Sequence, residues 1–123
     1  MLPSPRPDAA IVLESTISKA KGYAKNAKAD ATRAAYESDF EDFKVFCAAM
    51  ALDSLPTLPQ TVALYISDLA DTMAVSTINR RVAAISHFHQ ENGLDSPTLH
   101  PAVKVVLKGI RRSRTSARSM LER

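Results

Sequence analysis

The apolar positions of the chain recur at the spacing expected of amphipathic helices. The most regular stripe lies between residues 31 and 50. It consists of Tyr36, Phe40, Phe43, Cys47 and Met50, at alternating steps of four and three residues. Such steps place side chains on one helix face, so residues 31–50 are predicted to form a helix with Asp30 or Thr32 as N-cap. A weaker stripe from Leu13 to Ala24 predicts a preceding helix over residues 11–26, which would need a partner to stay folded.

Two helices are predicted to follow a proline-containing turn. Thr57 and Gln60 have the spacing of a capping box, which predicts a helix start. The apolar face of that helix carries Val62, Tyr65, Ile66, Leu69 and Met73. Ser76 is a suitable N-cap for the next helix, and Asn92–Gly93 is typical of a left-handed helix end.

The last predicted helix begins at Pro101, because proline suits the first helical position. Its inward positions are Val103, Val106, Leu107 and Ile110. Beyond Ser113 the apolar stripe stops, and the first ten residues are rich in proline. The predicted organisation is therefore a disordered segment over residues 1–10, a helical domain over 11–112 and a basic linker or tail over 113–123.

Composition favours the same all-α class. The 123 residues are 46% hydrophobic and only 6% aromatic, with no tryptophan and three glycines. This balance predicts one compact bundle of four to five short helices and disfavours a sheet-rich protein. The single cysteine, Cys47, cannot form an intramolecular disulfide, and no apolar run is long enough to span a membrane. We therefore expect a cytoplasmic protein with no membrane partner.

The helix that starts near Ser76 has a face suited to DNA. Its inward stack is predicted to be Ile78, Val82, Ile85 and His89, and its outward stack Ser76, Arg80, Ala84 and His87. The outward face is small, polar and basic near its N-terminus, which suits close approach to the major groove and bidentate recognition of guanine by arginine. A surface helix with ordinary solvated arginines remains the alternative.

Charge is distributed unevenly along the chain. Residues 34–79 hold seven acids and one base, Lys44, which suits phosphate poorly and predicts a solvated acidic face. Residues 104–123 hold seven bases against one acid, and residues 19–33 hold five bases against one acid. Both basic stretches are candidate contacts for a polyanion, although basic tails that serve only solubility look the same.

In this order and spacing, the helices resemble the N-terminal core-binding domain of tyrosine recombinases, the phage-integrase family. The similarity covers about residues 30–113. The matching residues are Thr32–Phe40 with Phe43, Phe46 and Cys47, a Leu-Pro followed by Val62–Leu69, Ser76–Arg81 with Ile85, His87, Phe88, His89 and Gly93, and Pro101 followed by Val103–Arg112. The resemblance implies a four-helix or five-helix bundle that clamps a recombination site together with a catalytic domain. It also implies that the helix starts at residues 31 and 76 face the major groove.

Resemblance and charge together give a set of candidate DNA contacts. They are Thr32, Arg33, Ala34, Ser38, Ser76, Thr77, Arg80, Arg81, His87, Lys104, Lys108, Arg111 and Arg112. No catalytic role is assigned, because the family's tyrosine nucleophile belongs to a downstream domain, and Tyr36 and Tyr65 lie on apolar stripes. His87 and His89 point to different faces of one helix, which disfavours a metal site. We expect no cofactor and no enzymatic activity.

The expected partners are double-stranded DNA and, by resemblance, other recombinase protomers or a catalytic domain. Two alternatives remain open at this point. A helical protein-interaction domain would expose an apolar patch, whereas a helix-turn-helix regulator would join the helices near residues 61 and 76 by a short, tight turn.

Overall fold

A computed structural model describes the backbone of residues 7–121 and the side chains of residues 8–115. The helices are α1 (Pro7–Ala49), α2 (Pro59–Leu69), α3 (Val75–Glu91) and α4 (Pro101–Leu121). A single turn of 3₁₀ helix, Pro97–Leu99, precedes α4. No strand occurs among the described residues, so the predicted all-α class is confirmed.

Helix α1 belongs to two units of the chain, which divide between Ala35 and Tyr36. We call residues 7–35 the arm and residues 36–121 the bundle. In the arm, every described side chain up to Ala34 is exposed. In the bundle, the core collects side chains from all four helices. Its buried members are Phe40, Phe43, Cys47, Val62, Tyr65, Ile66, Leu69, Ile78, Ile85 and Val103.

The apolar stripes of the bundle predicted this core, apart from the end of the stripe that begins at Tyr36, whereas the stripe from Leu13 to Ala24 in the arm is exposed. Phe43, Val62, Ile78 and Val103 are fully buried, and each such side chain contributes roughly 1.5–3 kcal/mol of transfer free energy. Met50, by contrast, is 58% exposed, because α1 ends at Ala49 before that side chain reaches the core.

The expectation of two short helices over residues 11–26 and 31–50 was wrong. Residues 24–35 are rich in Ala and Lys and contain neither Gly nor Pro, so continuing the helix costs less than breaking it. Thr32 is not an N-cap, because its Oγ1 donates to the Lys28 carbonyl 2.9 Å away, as in a helix interior. Helix α1 also includes residues 7–10, predicted to be disordered, while residues 1–6 lie outside the described part.

The predicted starts of α2 and α3 were also wrong by a residue or two. Leu58 and Ala74 occupy the N-cap positions, and neither forms a side-chain cap. Pro59 sets the start of α2, since its fixed φ and missing N–H suit the first helical turn. Ser76 lies inside the first turn of α3 instead of capping it.

The end of α3 was predicted from sequence, whereas the end of α1 was not. Gly93 has φ of 69° and follows α3 as predicted, with its N–H bonded to Gln90 O and that of Leu94 to His89 O. Helix α1 ends in the same way, but Ala51 occupies the left-handed position with φ of 57°. Alanine rarely adopts this conformation, so sequence gave no signal for this helix end.

Helix α4 begins at Pro101, as predicted, and its backbone remains helical to Leu121. The helix therefore extends into residues 113–121, where a linker was expected, because those residues contain no helix breaker. Residues 122–123 lie outside the described part. Within the described residues, no helix is both long and apolar enough to cross a membrane.

Candidate nucleic-acid interface

The start of α3 presents backbone donors beside polar side chains. Its first intrahelical hydrogen bond runs from Ile78 N to Ala74 O at 3.1 Å, and Ala74 provides no side-chain cap. The N–H groups of the first turn therefore have no capping side chain and carry the positive end of the helix dipole. Ser76 is exposed here and Thr77 is half-buried, a setting that suits an anionic oxygen.

Arg80 lies one turn further along α3 and is held by an acidic side chain of α1. Its Nε donates to Asp39 Oδ2 at 2.7 Å, and its Nη2 donates to Asp39 Oδ1 at 3.0 Å. The Arg80 side chain is 52% exposed, whereas that of Asp39 is 3% exposed. These hydrogen bonds raise the pKa of the guanidinium, which stays charged and fixed in orientation.

Arg81 turns toward the bundle instead of toward solvent. Only 14% of its side chain is exposed, and its Nη1 contacts both Asp42 Oδ2 and, at 2.9 Å, the Tyr65 hydroxyl. The Tyr65 hydroxyl in turn donates to Asp42 Oδ2 at 2.6 Å. Burial, followed by this hydrogen bond to Asp42, raises the pKa of the Tyr65 phenol above its ordinary range.

The interpretation of residues 34–79 as a solvated acidic face was therefore wrong for one residue and incomplete for another. Asp39 is buried and neutralised by Arg80, with Arg81 Nε 3.5 Å from its Oδ1. Asp42 remains half-exposed but is engaged by Arg81. The acids of α1 thus fix the two arginines that the sequence singled out, and we call these four residues with Tyr65 the ion-pair cluster.

The outer face of α3 differs from the prediction at its centre. Ala84 is fully buried, because α3 is covered on more sides than a one-faced helix. His87 is half-buried, with its ring 5.3 Å from that of Tyr36 and edge-on to Phe88. Its Nε2 lies 3.1 Å from Glu91 Oε1. A DNA contact by His87 stays a prediction, and it would use a side chain that already has neighbours.

Helix α4 carries a basic face whose members are exposed. Lys104, Lys108 and Arg112 follow at steps of four residues, away from the buried side that carries Val103, and form no ion pair with the described residues. Arg111 reaches α3, where its Nη2 donates to Asn79 Oδ1 at 2.9 Å. This bond joins the turn of α4 that carries Arg111 to the turn of α3 that carries Asn79 and Arg80. We call the combined surface the basic surface; it comprises Ser76, Arg80, Lys104, Lys108, Arg111 and Arg112.

Arg114 has a different role from the other bases of α4. Its Nη2 donates to the carbonyls of Ala70 and, at 2.6 Å, Met73, which follow the end of α2. A cation at a helix C-terminus complements the negative end of the dipole. This arginine therefore holds the connection between α2 and α3 in place.

The remaining candidates are divided between the two units. Thr32, Arg33 and Ala34 are exposed residues of the arm, and Ser38 is exposed on the first turn of the bundle. DNA contacts by these four residues stay predictions.

His89 and Cys47 are core residues in the bundle. His89 is 1% exposed, its Nε2 accepts from Thr57 N at 3.1 Å, and its Nδ1 bonds Ile85 O at 2.7 Å. Burial, and then the nearby Asp53, raises the pKa of the Cys47 thiol. Across the described side chains, no three His, Cys, Asp or Glu residues gather in a way that could hold a metal ion.

Sequence reasoning missed Asp39 as a structural partner of Arg80. The available signal was its position directly before Phe40, on the edge of the apolar stripe, where a charge needs a partner once the helix packs. Asn79 gave no comparable signal, because an amide on an exposed helix face is ordinary.

Comparison with known proteins identifies one that is similar to this chain in sequence and is named as a recombinase. No protein-family model matches the chain. Over 99 residues, 78% of the chain, it is 37% identical to an integrase/recombinase XerD homolog of Selenomonas ruminantium. The matched region spans 29% of that relative's length. This match supports the relation to the tyrosine recombinase family that the order of the helices indicates.

Proposed function

We propose that this chain is the DNA-binding, core-binding module of a site-specific tyrosine recombinase, and that it holds duplex DNA without cutting it. The observation that carries the proposal is the 37% identity to a recombinase homolog over 99 residues. An all-α bundle with a basic surface agrees with it.

Arg80 is the residue best placed to read a base. Asp39 occupies its Nε and one N–H of Nη2, which leaves both N–H groups of Nη1 and the second of Nη2 available. These free donors form the end-on edge of the guanidinium, the edge that can engage O6 and N7 of guanine together. Asp39 thus holds Arg80 in one orientation, so less conformational freedom is lost when DNA binds.

The bases of α4 are suited to phosphate. Lys104, Lys108 and Arg112 are exposed and unpaired within the described part of the chain, so no existing ion pair has to break. Contacts of this kind bind duplex DNA regardless of sequence. They weaken as the salt concentration rises, because releasing the counterions condensed on DNA then gains less free energy.

The test is fluorescence anisotropy with a labelled duplex over a salt series. Each lost phosphate contact lowers the slope of log K against log salt by about 0.9, so Lys104, Lys108 and Arg112 replaced together by Ala should lower it by about 3. Lys44→Ala is the matched control, since it removes one exposed charge from α1, where Lys44 pairs with Glu41. Absence of binding by the parent chain at low salt, or an unchanged slope in the triple variant, would overturn the proposal.

Arg80→Lys separates base reading from phosphate contact. Lysine keeps the charge but lacks the fork, so binding to a selected site should weaken more than binding to scrambled DNA. Equal losses on both duplexes would make Arg80 a phosphate contact.

A supercoiled plasmid incubated with the chain should remain uncut, and no protein should become covalently attached to it.

A protein-interaction role is the second candidate, and one observation favours it. The arm exposes Leu13 and Ile17, four residues apart on one helix face, at 61% and 46%. Exposed apolar side chains so close together are typical of a surface that another protein covers.

A further inference from the structure

The arm is a long helix with no packing of its own. All its described side chains up to Ala34 are exposed, including Leu13 at 61% and Ile17 at 46%. Helices in water obtain most of their stability from burying an apolar face, and an isolated helix is marginal even when rich in alanine. The arm therefore presents an apolar face without the contacts that would stabilise it.

That face follows a heptad repeat. Residues 10–34 carry apolar side chains at strictly alternating steps of three and four. The series is Ala10, Leu13, Ile17, Ala20, Ala24, Ala27, Ala31 and Ala34. A repeat of seven over this length, about 37 Å of helix, is the pattern of a two-stranded coiled coil.

We propose that the arms of two copies of this chain pair as an antiparallel coiled coil. In the register that centres the dimer near Gly22, Leu13 faces Ala31 of the second copy and Ile17 faces Ala27. Each large side chain thus meets a small one, while Ala20 faces Ala24 at the centre. Alanine layers allow the two backbones to approach closely, so the seam fills without voids.

Charge complementarity supports a second copy of this chain as the occupant. Positions flanking the seam carry Glu14, Lys21 and Lys28 on one side. In the antiparallel register Glu14 lies opposite Lys28 of the second copy, and the two-fold symmetry makes this pair twice. Lys21 faces its own counterpart, which is the one repulsive contact of this edge.

Other arrangements of two arms lose these features. A parallel pair places Leu13 on Leu13 and Ile17 on Ile17 at one end, and alanine on alanine in the layers from Ala20 onward. Sliding the antiparallel pair by seven residues in one direction brings Lys21 opposite Lys28, which replaces attraction by repulsion. Sliding it the other way brings Glu14 opposite Lys21 but shortens the seam, because only Ala10 to Ala27 then overlap. The centred antiparallel register therefore combines large-to-small packing and opposite charges with the longest shared seam.

Sedimentation equilibrium of the full chain, without DNA, tests the pairing. The parent chain should show a monomer–dimer equilibrium. Ile17→Glu, which puts a charge into the seam on both copies, should raise the dimer dissociation constant at least about a hundredfold. Val12→Glu is the matched control, because Val12 is 63% exposed and lies off the seam; it should change the constant less than about threefold. A monomeric parent chain, or equal effects of the two variants, would overturn the proposal.

Charge reversal tests the antiparallel register. Glu14→Lys alone and Lys28→Glu alone should each weaken the dimer about tenfold, and the double variant should restore it. Lys21→Gln, which removes the self-repulsion, should tighten the dimer a few-fold. Failure of the double variant to recover would exclude this register. The outcome is independent of DNA binding, so it distinguishes failure of the pairing from failure of the proposed function.

Discussion

The two parts of α1 belong to one continuous helix but differ in what maintains them. From Tyr36 onward the helix buries Phe40, Phe43 and Cys47 in a shared core, whereas before Ala35 it exposes its side chains. Helical backbone in the arm follows from local preference for Ala and Lys, while in the bundle it is reinforced by packing. The comparison shows that a helix boundary and a folding boundary need not coincide.

The largest expected difference in stability between the two parts comes from truncating one apolar side chain in each. Phe43→Ala should lower the free energy of unfolding by about 3–5 kcal/mol, since it leaves a cavity in the core. Ile11→Ala should change it by less than about 0.5 kcal/mol, because Ile11 is 67% exposed. Urea denaturation of both variants gives the comparison. Similar losses would mean that the arm is packed in solution.

A second test compares two aspartates of α1. Asp39→Asn removes the carboxylate that Arg80 grips, and we expect a loss of about 1–3 kcal/mol because a buried polar group loses charged partners. Asp30→Asn, in the exposed arm, should have almost no effect. Chemical denaturation measures both. If Asp39→Asn were as mild as Asp30→Asn, the ion-pair cluster would contribute nothing to the bundle.

Alkaline pH should weaken the bundle through Tyr65. Its pKa lies above the ordinary value of 10, so above pH 10 the unfolded chain releases the phenolic proton while the folded chain keeps it. The free energy of unfolding therefore falls as pH rises through this range, by up to about 1.4 kcal/mol per pH unit. Tyr65→Phe should lack this part of the slope in denaturation series above pH 10. Parallel slopes for the two proteins would contradict the assignment.

A glycine at the end of α1, at position 51, should raise the free energy of unfolding by a smaller amount. Glycine adopts a φ of 57° without the steric cost that alanine carries, so Ala51→Gly should stabilise the bundle by about 0.5–1 kcal/mol. Ala49→Gly, in the regular last turn, should destabilise it by a similar amount. Thermal denaturation of the pair checks the sign at each position.

The smallest effect on the bundle is expected from Gly22→Ala. A Cβ at Gly22 would meet nothing within 4 Å, and alanine favours helix over glycine by about 1 kcal/mol. Amide hydrogen exchange should slow in the arm, while the denaturation midpoint of the bundle stays the same. A shifted midpoint would show that the two parts of α1 unfold together.

The bundle core could be predicted from sequence because the apolar residues of each helix recur at a regular local spacing. The spacing of Phe40, Phe43 and Cys47 identifies a buried face without knowledge of what covers it. The continuity of α1 was harder to predict from sequence. Asp30 and Thr32 can cap a helix or lie within one, and which occurs depends on small differences in helix propensity.

The candidate interface was predicted in outline but not in its internal contacts. Exposed Lys104 and Lys108 follow from helix phase and charge alone. The pairing of Asp39 with Arg80 joins residues that are 41 positions apart, and no local pattern encodes such a contact. For this reason an acid expected to be solvated became a buried partner of the arginine expected to contact DNA.

The contacts of His89 restrict which side chains this position can tolerate. Its two ring nitrogens serve opposite tasks, since Nε2 accepts from the Thr57 N–H while Nδ1 faces the Ile85 carbonyl and supplies the proton between them. An aromatic ring of equal size would fill the space but leave both backbone groups unpaired. Apolar core residues can exchange with one another when their volumes match, whereas position 89 requires a donor and an acceptor on one short side chain. Among libraries of random variants, this buried position should therefore accept fewer replacements than Phe43.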